Sequence, residues 1–224
     1  MNRLILDRGP QVVGTLSSLD GGFQGGCDIV EVRLDKTSRP SDWLARCQAI
    51  EEAGTPVLLT VRLRIEGGEW ETDDDRRLKI YEQGLARLSA VDVELRSAIC
   101  GAVAKEAKRL GKVCIVSYHD FQGTPPLGEL ESVVKRAQEI GTVAKISTWL
   151  RSEADLGILR SLLERKGAQP LCVIGMGEEW RQTRVSFPTL GSCLTYGYLD
   201  QPTAPGQWPA AELMRQLQSA RAKS

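Results

Sequence analysis

Eight short runs rich in Val, Ile, Leu and Thr recur along this chain, and most are followed by a stretch with helical spacing. The runs are Gln11–Leu16, Asp28–Leu34, Pro56–Arg62, Val91–Leu95, Val113–His119, Thr142–Ser147, Pro170–Gly175 and Ser192–Tyr198. Helices are predicted over Ser41–Ala53, Asp73–Leu88, Ser97–Leu110, Gly128–Ile140, Ser152–Lys166 and Pro209–Ala222. Ser41 is the candidate N-cap of the first of these. Gly54, Gly111, Gly141 and Gly167 stand where a left-handed residue would stop a helix. Eight such alternations in 224 residues predict an α/β fold: a (β/α)8 TIM barrel, one domain spanning residues 1–224. An open doubly wound sheet is the alternative, but no glycine-rich dinucleotide or phosphate-loop fingerprint follows an early run.

Composition narrows the function classes. Lys plus Arg is 29 and Asp plus Glu is 29, with no basic run, which argues against a nucleic acid or a membrane surface as partner. Nor does any apolar run approach a membrane span. Met1–Arg8 carries Asp7 too early for a secretory signal, and the expectation is a cytoplasmic protein. The six cysteines form no C-x-x-C pair and there is one histidine, so no Cys/His metal site is expected. Cys114, Cys172 and Cys193 read as small buried hydrophobes in a reducing compartment.

In a parallel barrel the chemistry stands at the C-terminal ends of the strands. Alternation puts Glu31 and Arg33 on one face of the second run, pointing inward, where a mutual ion pair is the arrangement expected. Such a pair serves structure or function with equal ease. The third run ends at Arg62, followed by Glu66-Gly67-Gly68, where a lone Glu is usually a solvated loop residue. Asp92 and Glu94 share a face of the fourth run and rank as supporting groups. His119 ends the fifth run, and an imidazole there suits proton transfer. Lys145 lies inside the apolar sixth run; burial favours the uncharged amine, which makes it a candidate nucleophile. A lysine closing an interior ion pair is the competing reading. Arg181 and Arg184 lie beyond the seventh run, and Thr203-Ala204-Pro205-Gly206-Gln207 follows the eighth.

Taken in order, Glu31-Val32-Arg33, Arg62 with Glu66-Gly67-Gly68, Ser117-Tyr118-His119-Asp120-Phe121, Lys145-Ile146, Met176 with Arg184, and Ala204-Pro205-Gly206-Gln207 resemble the type I 3-dehydroquinate dehydratase family across essentially the whole chain. The resemblance implies that Lys145 forms an imine with the C3 ketone of 3-dehydroquinate, and that His119 is the general base and acid. It implies that Glu66 orients the imidazole, and that Arg184 pairs with the substrate carboxylate. Glu31, Arg33, Arg62 and Gln207 would bind ring hydroxyls and Met176 would pack on the ring. The product would be 3-dehydroshikimate, in the shikimate route to aromatic amino acids. No cofactor or metal is implied, because the lysine supplies the electron sink. A homodimer is the assembly that the family implies. Thr203 stands where the family usually has a serine that bonds substrate; Thr15 is a looser candidate for the site's lining. The segment before the first run is short, so a hairpin seen under the barrel in some members is expected to be reduced. Two rivals stay open: another Schiff-base lyase or aldolase, and a barrel that binds such metabolites without turning them over.

Overall fold

The computed structural model describes residues 9–38, 40–71 and 73–222. The expectations about Met1–Arg8, both the missing signal and the reduced hairpin, lie largely outside those residues. Eight parallel strands follow one another as β1 (Gln11–Leu16), β2 (Ile29–Arg33), β3 (Val57–Thr60), β4 (Ala90–Glu94), β5 (Val113–Asp120), β6 (Val143–Trp149), β7 (Leu171–Met176) and β8 (Leu194–Tyr198). Hydrogen-bonded neighbours run from β7 down to β1 and on to β8. The remaining seam, β7 to β8, is closed by the Cys193 amide donating to the Leu171 carbonyl at 2.9 Å. Beside it, the buried Ser192 hydroxyl accepts from the Val173 amide at 3.0 Å and donates to the Leu194 carbonyl at 3.0 Å. A side chain thus stands in for ladder bonds where the sheet closes. The barrel predicted from the alternation is present.

The helices are α1 (Trp43–Glu52), α2 (Asp74–Leu85), α3 (Cys100–Arg109), α4 (Leu127–Ile140), α5 (Glu153–Glu164), α6 (Thr183–Thr189) and α7 (Ala210–Arg221). Among the described residues β1 joins β2 without a helix. Local chemistry sets several starts: the Asp73 side chain caps α2 through the Arg76 amide, and Ser152 caps α5 through the Asp155 amide. Some details differ from expectation. Asp42, not Ser41, occupies the N-cap position of α1, and it makes no side-chain cap bond. Gly54 and Gly111 are left-handed as expected, but Gly141 is extended and Gly167 has no positive φ. Gly141 serves close packing: a Cβ there would lie 2.5 Å from Val116 Cγ2. The segment around Arg184 is the short helix α6 rather than a loop, because Phe187 is fully buried and anchors it. Cys114 and Cys172 are buried, whereas Cys193 is only half-buried. No helix of the described residues is long and apolar enough to cross a membrane.

The interior is tiered by strand periodicity. Val13, Ile29, Leu58, Ala90, Ile115, Val143, Cys172 and Leu194, one from each strand, form an apolar floor. Two residues further along each strand stand Thr15, Glu31, Thr60, Asp92, Ser117, Lys145, Ile174 and Tyr196, all buried. Two further still come Arg33, Arg62, Glu94, His119, Ser147 and Met176. The alternate residues of each strand, such as Val30, Val32, Leu59, Val93, Val116 and Ile146, face outward and join the core beneath the helices. Each such side chain contributes roughly 1.5–3 kcal/mol of burial.

Candidate active site

The upper tiers open into a cavity of about 270 Å³ at the C-terminal ends of the strands. Glu31, Arg33, Arg62, Glu66, His119, Lys145, Met176, Arg184, Thr203 and Gln207, all singled out from the sequence, line it. So do Gly67, Phe121, Ser147, Ile174, Tyr196, Ala204 and Pro205, which were not given site roles. Counting inward-facing positions upward from the apolar floor would have found Ser147, Ile174 and Tyr196. Thr15 is buried below, against Glu31.

Buried charges demand partners, and the expected Glu31–Arg33 pair is not the solution adopted. The two sit in successive tiers, about 7 Å apart along a strand. Arg33 instead forms a two-pronged bond with Asp35, Nε to Oδ1 at 3.0 Å and Nη2 to Oδ2 at 2.8 Å. Burial would lower the guanidinium's pKa, but Asp35 outweighs it and raises it. Glu31 accepts hydroxyls from Thr15 at 2.9 Å and Thr60 at 2.8 Å. Its carboxylate is held by neutral donors from the flanking strands.

Lys145 Nζ lies 2.9 Å from Asp92 Oδ2 and 4.1 Å from the Tyr196 ring centre. Asp92 Oδ1 in turn takes Arg62 Nη2 at 2.7 Å and the Ser117 hydroxyl at 2.6 Å. Burial alone would raise the Asp92 pKa; Arg62 and Lys145 reverse that and hold it far below the ordinary carboxylate range. Arg62 continues the network to Glu94 at 3.3 Å, and Glu94 also binds Arg77 of α2. Asp92 and Glu94 therefore tie a lysine and two arginines together.

Glu66 sits in a 3-10 turn (Arg64–Glu66) and is buried rather than solvated. Its Oε2 meets His119 Nδ1 at 3.0 Å and accepts the His119 amide at 3.2 Å. The turn closes on Gly67 at φ 80°, where a Cβ would lie 2.4 Å from the Phe121 ring. That ring lies nearly parallel to the imidazole, centres 6.3 Å apart. Burial pushes Glu66 up to about 7, against the pull of Arg62. Burial, then Arg62 and Lys145, hold His119 well below its ordinary value. Burial drives both groups toward their neutral forms.

Arg184 brings a further buried guanidinium to the cavity. Its nitrogens donate to the carbonyls of Gly206 at 2.9 Å, Tyr196 at 3.2 Å and Pro205 at 3.4 Å, and no carboxylate of the described residues pairs with it. Burial lowers its pKa to about 10. A buried guanidinium of this kind favours an anion. Gln207 Oε1 collects the Thr203 amide at 2.7 Å, the Thr203 hydroxyl at 3.1 Å and the Ala204 amide at 3.2 Å. The glutamine thereby shapes the loop it belongs to. Among the described residues no cluster of three or more His, Cys, Asp or Glu is disposed to hold a metal ion. One cavity thus combines an amine, a carboxylate-held imidazole and an unpaired guanidinium, the groups needed to bind an anionic carbonyl compound covalently and move its protons.

Comparison with known proteins places the chain in a family. A sequence model of the family "Type I 3-dehydroquinase" matches residues 9–224. The 3-dehydroquinate dehydratase of Methanocella arvoryzae is 32% identical over 216 residues, covering 95% of this chain and 97% of the relative. That of Methanothermobacter thermautotrophicus is 35% identical over 187 residues, covering 83% and 81%. Among solved structures, the 3-dehydroquinate dehydratase from Aquifex aeolicus superposes with a TM-score of 0.81 at 26% identity, covering 93% of this chain and 97% of that one.

Proposed function

This chain belongs to the type I 3-dehydroquinase family, and from that premise we propose that it dehydrates 3-dehydroquinate to 3-dehydroshikimate through an imine on Lys145, with His119 moving the protons. The observation that carries the reading is the buried amine of Lys145 sharing a cavity with an imidazole whose Nδ1 is held by Glu66.

The substrate carboxylate pairs with Arg184, whose guanidinium has only carbonyl partners. The Lys145 amine, once it has given its proton to the neutral imidazole, attacks the C3 ketone. The protonated imidazole gives that proton to the carbinolamine hydroxyl, which leaves as water, so that a protonated imine forms and His119 is neutral again. The imine then draws electrons from the C2–H bond, and His119 Nε2 takes that proton. Glu66 serves this step by accepting a hydrogen bond from Nδ1–H, which leaves the Nε2 lone pair toward the substrate. The enamine expels the C1 hydroxyl, which leaves as water with the proton returned by His119. Water then hydrolyses the conjugated imine and frees Lys145. The water released in forming the imine is taken up again in hydrolysis, so one water leaves per turnover.

Asp92 and Arg62 hold the amine in place. Met176 lines the wall, and Glu31, Arg33 and Gln207 stand within the cavity to receive ring hydroxyls. The Thr203 hydroxyl already donates to Gln207, so it would serve substrate as an acceptor. We place the protein in the cytoplasm as a homodimer; sedimentation showing only monomer would remove the second part.

The test is mass spectrometry of the protein after 3-dehydroquinate and sodium borohydride, followed by peptide mapping. A reduced adduct on Lys145 is expected. Product formation without an adduct would reject the imine route; neither product nor adduct would favour a binding-only barrel, and an adduct with a different carbonyl substrate would favour another Schiff-base lyase.

A further inference from the structure

Arg96 stands just past the end of β4, outside the set of groups that touch the cavity. Its Nε is 3.3 Å from Oε1 of Glu66, the oxygen that His119 leaves unused and that has no hydrogen bond of its own. Its Nη2 donates to the His119 carbonyl at 2.7 Å, and its guanidinium lies 4.5 Å over the Tyr118 ring. One side chain therefore braces the carboxylate, the backbone of the histidine and the residue before it.

We propose that Arg96 is a positioning residue for the reaction: it holds the second oxygen of Glu66 so that the group stays a carboxylate, and the carboxylate keeps His119 in the tautomer with Nε2 free. This rests on the roles given above to Glu66 and His119. The charged groups facing Glu66 are Arg62 beyond β3, Glu94 on β4, Arg96 beyond β4 and His119 on β5. Burial and Glu94 favour the acid form; Arg62 and Arg96 oppose it. The balance is close, since Glu66 stands at about 7.

The tautomer gives that balance a catalytic meaning. A Glu66 carboxylate can only accept, so it fixes the proton on Nδ1 and leaves Nε2 as a base. A Glu66 carboxylic acid would donate to Nδ1 and move the imidazole proton to Nε2, where it blocks proton abstraction. Glu66 and Arg96 differ in burial, 2% against 52% side-chain exposure, so water and salt weaken but do not cancel the contact.

The chain has one histidine, so a long-range nitrogen–proton NMR spectrum reads a single imidazole. Arg96→Met keeps the aliphatic stem over Tyr118 and removes the charge. In this variant the Nε2-protonated form should persist to higher pH than in the parent, with the largest difference just above pH 7, and should be lost in both at alkaline pH. The ratio kcat/KM should fall by roughly two- to fivefold on the acid side, the size of one partly exposed ion pair, and rejoin the parent enzyme at alkaline pH. Arg96→Lys should restore the profile. In a Glu66→Gln background Arg96→Met should have no further effect. A loss of equal size at every pH, or the same loss in both backgrounds, would overturn the proposal. Parent-like turnover of Glu66→Gln alone would instead overturn the reading of Glu66 on which it stands.

Discussion

Asp92 divides its two carboxylate oxygens among Lys145, Arg62 and Ser117, all within 2.9 Å. Removing its charge would leave Lys145 without a carboxylate partner and Arg62 with Glu94 alone. We expect Asp92→Asn to destabilise the protein by about 3–5 kcal/mol, the usual consequence of breaking a buried charge network. Urea unfolding measures it, and a loss under about 1 kcal/mol would show that the site tolerates the uncompensated cations. Arg184 is the opposite case, a buried cation that awaits its anion. Arg184→Ala should raise KM for 3-dehydroquinate by about ten- to a hundredfold, the size of a charge-assisted pair. Steady-state kinetics that changed kcat alone would separate Arg184 from the substrate carboxylate. Asp92 was ranked only as a supporting residue from sequence because alternation reveals which way a side chain points, not what faces it across the barrel.

At the scale of elements, the seam between β7 and β8 depends on Ser192. Its hydroxyl accepts from the Val173 amide at 3.0 Å. Ser192→Ala should cost about 1–3 kcal/mol and speed hydrogen exchange at Val173. Unchanged exchange there would mean that the strands close without the serine. The seam bears on function because β7 carries Ile174 and Met176 into the cavity and β8 carries Tyr196. Sequence runs marked these strands, but the first residue of the eighth run proved to be the clasp between sheets' ends, not a member of the strand.

For the whole molecule, stability against pH follows from four buried groups. Asp35 and Asp92 are depressed in the folded state, so the stability they give is present above about pH 4 and is lost as pH falls through their folded values. Glu66 is raised to about 7, so its contribution is complete below its unfolded value and disappears as pH rises through 7. His119 is depressed, so its contribution is present above about 6.5 and is lost on acidification. Between pH 5 and 7 the last two oppose each other, and a shallow profile is expected. Glu66→Gln removes one arm, and its urea midpoint should then rise from pH 5 to pH 7. A midpoint that fell over that range would reject the assignment of the His119 arm.

The strand–helix alternation, the inward face of each strand and the order of the polar landmarks were all determined by the sequence, because side-chain periodicity is local and covalent order is absolute. The ten site residues named from it do share one cavity. Partnership was decided by the tertiary structure. Arg33 turned to Asp35 rather than Glu31, Lys145 met Asp92 from two strands away, and Arg96 reached Glu66 across the rim. Barrel closure and the stagger between strands set those distances, and in a buried site each charge takes the partner that geometry brings within hydrogen-bond reach.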